Sequence, residues 1–201
     1  MVTFPVHIHT KLYSPNQHIH VYEPEVYGLS NQTVQHQINR KIQTTLSHLL
    51  RDQGLGQPGL QEMVGNFEIK TNERNILSLV LGVYSFTGGA HGNTVIRPLT
   101  FDTTTGRQYQ LKDLFKPNSD YVAKISDMIR LQIKERDLPV FEPFKSIKPD
   151  QDFYIADKSL VIMFPLYELL PYVYGIPYFP ISVYSLRDIV NEEGPLGRMM
   201  G

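Results

Sequence analysis

Tyr84-Ser85-Phe86-Thr87-Gly88-Gly89-Ala90-His91-Gly92-Asn93 is the stretch from which the fold is read. The apolar run Ile76 to Phe86 leads into it, and a second extended segment, Thr94 to Phe101, leads out. Glycine serves where backbone must turn with positive φ or approach another group closely. The stretch therefore reads either as a tight structural crossover or as a loop whose backbone N–H groups face a ligand. It opens into a strand and offers no helix N-terminus to a phosphate.

Working outward, Ile76 to Phe86 is apolar on both faces at Leu79-Val80-Leu81. That suggests a central strand of an antiparallel sheet, covered on one side by a helix. Met63 to Lys70 reads as the strand before it, with Thr71 to Asn75 as a hairpin loop. The covering helix is supplied by Val34, Ile38, Ile42, Leu46 and Leu49 at helical spacing. Ser30 or Asn31 caps its start, and the glycine-rich segment Gly54 to Gly59 ends it. At the N-terminus, residues 4–10 and 18–22 alternate, with Ser14-Pro15-Asn16 as turn chemistry between them, which predicts a strand hairpin.

Downstream, Asp102 to Gly106 is a hairpin loop, and Tyr109 to Leu111 resumes the strand. Asn118 or Ser119 caps a second helix carrying Val122, Ile125, Ile129 and Ile133 on its buried stripe, and Pro139 stops it. Phe141 to Asp150 reads as irregular. Phe153 to Ile155, Leu160 to Phe164 and Phe179 to Tyr184 read as strands. Pro165 to Tyr178 holds too many prolines for a helix. Leu186 to Val190 is a short helical turn, and residues 191–201 read as a loose tail. The order is that of an α+β protein with antiparallel sheets and two main helices, arranged as two small subdomains, each a helix packed on a sheet. The glycine loop is expected near their junction.

The chain has 201 residues, 41% hydrophobic and 19% charged, as is ordinary for a globular protein, with a formal net charge of −1. No block of like charge exists, so nothing reads as a nucleic-acid footprint or a polybasic membrane anchor. Cysteine is absent, which removes disulfides, thiolate metal sites and a cysteine nucleophile together. No run approaches the roughly 18 apolar residues of a spanning helix, and the first residues do not form a secretory signal. With Met1 as a native start, the expectation is a cytoplasmic protein.

The residues offer three kinds of chemistry. His7, His9, His18 and His20 form two His-x-His pairs on facing strands and could supply four imidazoles to one metal. Alternation alone also places them on the solvated face of a hairpin. Second, His91 could work with Glu168 as the acid–base pair of a hydrolase acting on cell-wall material, although a histidine in a glycine turn more simply bonds nearby backbone. Serine-hydrolase, zinc-hydrolase, P-loop and dinucleotide fingerprints are all missing. Third, Tyr167, Tyr172, Tyr174 and Tyr178 crowd a loop, and tyrosine joins an apolar ring to a polar tip as protein and sugar contacts require. The same side chains could instead pack the loop onto the core, or form a contact between two copies.

Phe86-Thr87-Gly88-Gly89-Ala90-His91-Gly92 resembles the Tyr-Thr-Gly-Gly-Ala-His-Gly signature of the RsiV-type family, with phenylalanine replacing the leading tyrosine. Leu99-Thr100-Phe101-Asp102 with Thr105-Gly106, Leu111-Lys112-Asp113-Leu114-Phe115, and Tyr167-Glu168 through Pro171-Tyr172-Val173-Tyr174-Gly175 agree in order with its second domain. The resemblance spans roughly residues 18 to 190. It implies a PdaC-like N-terminal subdomain over 1–93, an RsiV-type C-terminal domain of unknown function over 94–190, and a tail over 191–201. The family includes extracellular sensor domains of anti-sigma factors that recognise lysozyme. The implied activity is thus non-catalytic binding of a lysozyme-like protein or of peptidoglycan at the bacterial cell envelope, with no cofactor. Gly88, Gly89, His91, Tyr167, Glu168, Tyr172 and Tyr174 are the expected ligand contacts. The family's sigma-binding segment and membrane anchor have no counterpart in the sequence.

Overall fold

The computed structural model describes residues 6–201. They fall into two compact units, one ending at Gln108 and the other running from Tyr109 to Gly201. Phe4, read as the start of the first strand, lies outside the described residues.

The first unit is a five-stranded sheet in the order β1 (His7–Asn16), β2 (Ile19–Tyr27), β3 (Glu62–Glu73), β4 (Ile76–Phe86), β5 (Asn93–Asp102), with α1 (Gln32–Asp52) packed on one side. All neighbours are antiparallel except β2 and β3, which run parallel over Ile19–Val21 against Met63–Gly65. Asn31 caps α1, its side chain accepting from the backbone N–H groups of Thr33 and Val34. The helix buries Val34, Ile38, Ile42, Leu46 and Leu49, the stripe its spacing predicts. They meet Leu77, Leu79, Leu81 and Val83 from one face of β4 in a single apolar core. Arg74 and Asn75 take positive φ and close the β3–β4 hairpin in two residues, so strand geometry runs further into the predicted loop than expected. β5 belongs to this sheet, and the Phe101–Gln108 bridge extends the unit past it.

One tie within this unit is made by a side chain. The Asn39 amide on α1 accepts from the Val26 N–H and donates to the Val26 carbonyl, each at 2.8 Å. A helix residue thereby satisfies both backbone groups of a strand residue where the ladder to β3 has ended.

The second unit holds α2 (Tyr121–Glu135) on a three-stranded antiparallel sheet of β6 (Phe153–Ala156), β7 (Ser159–Met163) and β8 (Tyr178–Ser182). Asp120, one residue beyond the two predicted caps, accepts from the Ala123 N–H at the start of α2. Leu111–Leu114 forms a short 3-10 turn that begins at the last residue of the strand expected over Tyr109–Leu111, and Val183–Leu186 forms another. Residues expected as a loose tail instead contain α3 (Pro195–Met200), which buries Leu196 and Met199. Proline at the first helical position supplies its start.

Candidate functional site

The glycine stretch is the β4–β5 connection, so it is a hairpin within the first unit. Ser85 pairs with Asn93 at its mouth. Gly88 and Gly89 take φ of 95° and 105°, where a Cβ is strained. Gly92 answers to a different need. A Cβ there would overlap the outer end of the Tyr84 ring, so glycine lets the returning strand cross that ring without displacing it. The mouth is tied to the end of α1: Ser85 Oγ donates to Gln53 Oε1 at 2.9 Å, and Asn93 Nδ2 reaches the same oxygen at 3.4 Å. Gln61 N donates to the Phe86 carbonyl at 2.8 Å. His91 is exposed, with Nδ1 2.9 Å from the Gly92 carbonyl oxygen, which places a proton on that nitrogen.

The tyrosine-rich connection between β7 and β8 is built differently. Phe164, Leu169 and Leu170 are buried and pin it to the second unit. Glu168 N donates to the Pro165 carbonyl at 3.2 Å, and Phe141 N donates to the Leu169 carbonyl at 3.2 Å. Pro171 leads into a 3-10 turn over Tyr172–Tyr174, which Gly175 ends at φ 69°. Between these anchors side chains stand out: Tyr167 is 52% exposed, Val173 83% and Tyr174 55%. The Tyr167 ring stacks on that of Tyr172, centroids 5.5 Å apart. Tyr167 sits at φ 64°, an unusual backbone for a bulky residue.

Tyr167 and Glu168 also line an open cleft of about 440 Å³ with Phe141, Glu142 and Phe144. The Glu168 carboxylate accepts from Lys148 Nζ at 2.9 Å. The structure thus gathers Tyr167, Glu168 and Tyr172, with Tyr174 on the same loop. Phe141 and Phe144 were missed because their segment reads only as irregular. The available signal was a pair of phenylalanines in a proline-broken loop lacking any strand or helix period.

The histidine hairpin forms, but not as a four-imidazole site. His7 lies opposite Tyr27 and His9 opposite Glu25 at one end of the ribbon. His18 and His20 lie at the turn, where His20 bonds Ser14 and the Gln17 carbonyl. Antiparallel pairing sends the two pairs to opposite ends, and from His9 to Ser14 alone the strand rises about 16 Å. Among the described residues no cluster of three His, Asp or Glu side chains could hold a metal ion. As for an acid–base pair, His91 and Glu168 belong to different units, the one turned to Gly92 and the other to Lys148. No helix among the described residues is long and apolar enough to cross a membrane.

Comparison with known proteins places this architecture. Solved structures of two DUF3298 family proteins share the fold. The protein from Bacteroides fragilis matches with a TM-score of 0.71 at 12% identity, over 98% of each chain. The one from Pseudomonas aeruginosa matches with 0.67 at 15%, over 94% of this chain and 95% of the other. In sequence, residues 11–94 match the family described as deacetylase PdaC, and residues 112–184 match the protein family of unknown function DUF3298. The anti-sigma-V factor RsiV of Bacillus subtilis is 30% identical over 191 residues, which is 87% of this chain and 66% of the relative. The peptidoglycan-N-acetylmuramic acid deacetylase PdaC of the same organism is 23% identical, over 66% of this chain and 30% of that protein. The chain therefore spans just under two thirds of the anti-sigma factor and under a third of the deacetylase. Its sequence matches the RsiV-like family, a PdaC-type domain preceding a DUF3298 domain.

Proposed function

We propose that this chain is a non-catalytic sensor or receptor module of the bacterial cell envelope, whose ligand is a lysozyme-like protein or a cell-wall glycan. The observation that carries this reading is the kinship with an anti-sigma factor along 87% of the chain. An anti-sigma factor acts by holding a partner. The deacetylase kinship is more distant and reaches only 30% of that enzyme.

The ligand contacts are assigned to two surfaces. On the second unit they are Tyr167, Glu168, Tyr172 and Tyr174. Exposed tyrosines held by a buried anchor give a large contact area at small entropic cost, which supports that choice. On the first unit they are Gly88, Gly89 and His91, at the exposed tip of the hairpin.

The test is binding of the purified chain to a c-type lysozyme and to insoluble peptidoglycan, at low and at moderate salt. Lysozyme is basic, so non-specific attraction fades as salt screens it. Saturable binding that survives moderate salt is expected with one of the two ligands. Binding to neither overturns the reading. Alanine at both Tyr172 and Tyr174 is expected to weaken the interaction without lowering the melting temperature, and unchanged affinity would remove the second-unit assignment.

A further inference from the structure

The five-stranded sheet of the first unit ends in two edge strands that are treated unequally. An exposed edge invites pairing with another chain, and proteins blunt it with proline, charge or cover. β5 carries such devices: Pro98 lies within it, Arg97 Nη1 donates to the Ile96 carbonyl at 2.9 Å, and Phe101 is bridged to Gln108. Over His7 to Tyr13, β1 carries neither a proline nor a bridging segment. Its side chains are almost all exposed, and its one charge there, Lys11, is bound to Glu25 at 2.5 Å.

Two observations fix which backbone groups β1 offers. Val26 faces Ile8, and both its N–H and its carbonyl are turned away to Asn39. Pro24 faces Thr10 and has no N–H to give. Ile8–Val26, Thr10–Pro24 and Leu12–Tyr22 are therefore the rungs that exchange no hydrogen bonds. The N–H and carbonyl of Ile8, Thr10 and Leu12 point to the open edge. Just before β1, Val6 is instead tied within the unit: its N–H and carbonyl are held by Oδ1 and Nδ2 of Asn72 on β3, at 3.3 and 2.8 Å.

We propose that β1 pairs antiparallel with β1 of a second copy of this chain, about a two-fold axis through Thr10, joining two five-stranded sheets. This register uses all the open rungs: Ile8 meets Leu12 of the second copy, Thr10 meets Thr10, and Leu12 meets Ile8. Each rung exchanges two hydrogen bonds. The series stops at the Asn72 clamp on one side and at the irregularity between Tyr13 and Asn16 on the other. Its side chains are self-complementary. Ile8 comes beside Leu12, extending the exposed Leu12–Tyr22 pair, and His7 comes opposite Tyr13. A contact of this size belongs with weak, reversible interfaces.

Sedimentation equilibrium between roughly 10 µM and 1 mM protein spans the affinity range of such contacts. The average mass is expected to rise from 23.1 kDa toward twice that value. Backbone amide exchange followed by NMR over the same range supplies the register. Amides of Ile8, Thr10 and Leu12 gain protection with concentration, while those of His9 and Lys11, already bonded to β2, do not change. Thr10→Pro removes the central donor without touching the β1–β2 ladder and is expected to abolish both effects at unchanged melting temperature. The proposal is overturned by a monomer at every concentration, by concentration-dependent protection on another element, or by a Thr10→Pro variant that still associates. Protection of these three amides by an added protein ligand alone would equally overturn it, since the edge would then take a foreign strand.

Discussion

The two connections that carry the candidate contacts, Thr87–Gly92 in the first unit and Pro165–Pro177 in the second, contrast in what their conformations are for. Every unusual residue of the glycine hairpin has a local use: Gly88 and Gly89 for positive φ, Gly92 for the crossing of Tyr84, and Ser85 for the bond to Gln53. In the tyrosine loop the anchors Leu169 and Leu170 are similarly explained. Tyr167 differs, joining a left-handed backbone to a half-exposed ring stacked on Tyr172. Strained backbone of this kind clusters at functional sites. The comparison teaches that the more distinctive sequence motif is the more structural of the two.

The sharpest way to break this contrast is a pair of alanine variants in the hairpin. Gly92→Ala drives a methyl group into the Tyr84 ring and should lower the unfolding free energy in urea by about 1–3 kcal/mol. Gly89→Ala meets no atom within 4 Å and should cost only the backbone strain, about 1–2 kcal/mol. Equal losses would show that the ring crossing is not what fixes Gly92. Ser85→Ala, which leaves Gln53 Oε1 without its shorter bond in a buried setting, should cost about 1–2 kcal/mol by the same measurement.

In the tyrosine loop the expectation reverses. Tyr167→Asn places a residue tolerant of left-handed backbone at φ 64°, so stability should hold or rise by up to about 1 kcal/mol. Ligand affinity, read by calorimetry, should nonetheless fall about tenfold with the loss of one stacked ring. A destabilised Tyr167→Asn with intact affinity would assign the ring to the fold.

The smallest effect concerns acid. The Asp188 carboxyl is held below the usual carboxylate range, chiefly by its hydrogen bond from Lys124. A depressed carboxyl stabilises the folded state above its unfolded pKa and loses that contribution as pH falls through the folded value. The stability difference between the wild type and Asp188→Asn should therefore be constant near neutrality and vanish only in strong acid. Both groups are solvent-accessible, so the difference should be slight throughout.

Much of this molecule was legible in its sequence because apolar periodicity reports burial. The stripe Val34 to Leu49 and the run Ile76 to Phe86 give α1 and β4 with their partners. What stayed hidden lacks a period. The 3-10 turn over Leu111–Leu114 has a mixed pattern, and α3 is too short to show one, so its burial of Leu196 and Met199 could not be foreseen. The histidine pairs misled for a related reason. Alternation fixes the face of a residue but not its position along the ribbon, and that position is set by where the turn falls. For the candidate contacts, Tyr167 and Tyr172 were visible as composition, whereas their stacking and the cleft beside Phe141 depend on the path of an irregular chain.

The parallel pairing of β2 with β3, limited to Ile19–Val21, also has a consequence in time. β3, β4 and β5 are joined by short hairpin connections, so each contact closes a small loop. β2 meets β3 only after the chain has passed through the whole of α1. Loop closure becomes less favourable with length, and non-local pairing slows folding. The three-strand meander can therefore assemble first, with the β1–β2 ribbon forming separately and docking once α1 brings Asn39 to Val26. Nascent protein would then add the ribbon late, burying Val21 and Val26 in a core whose other side is already assembled.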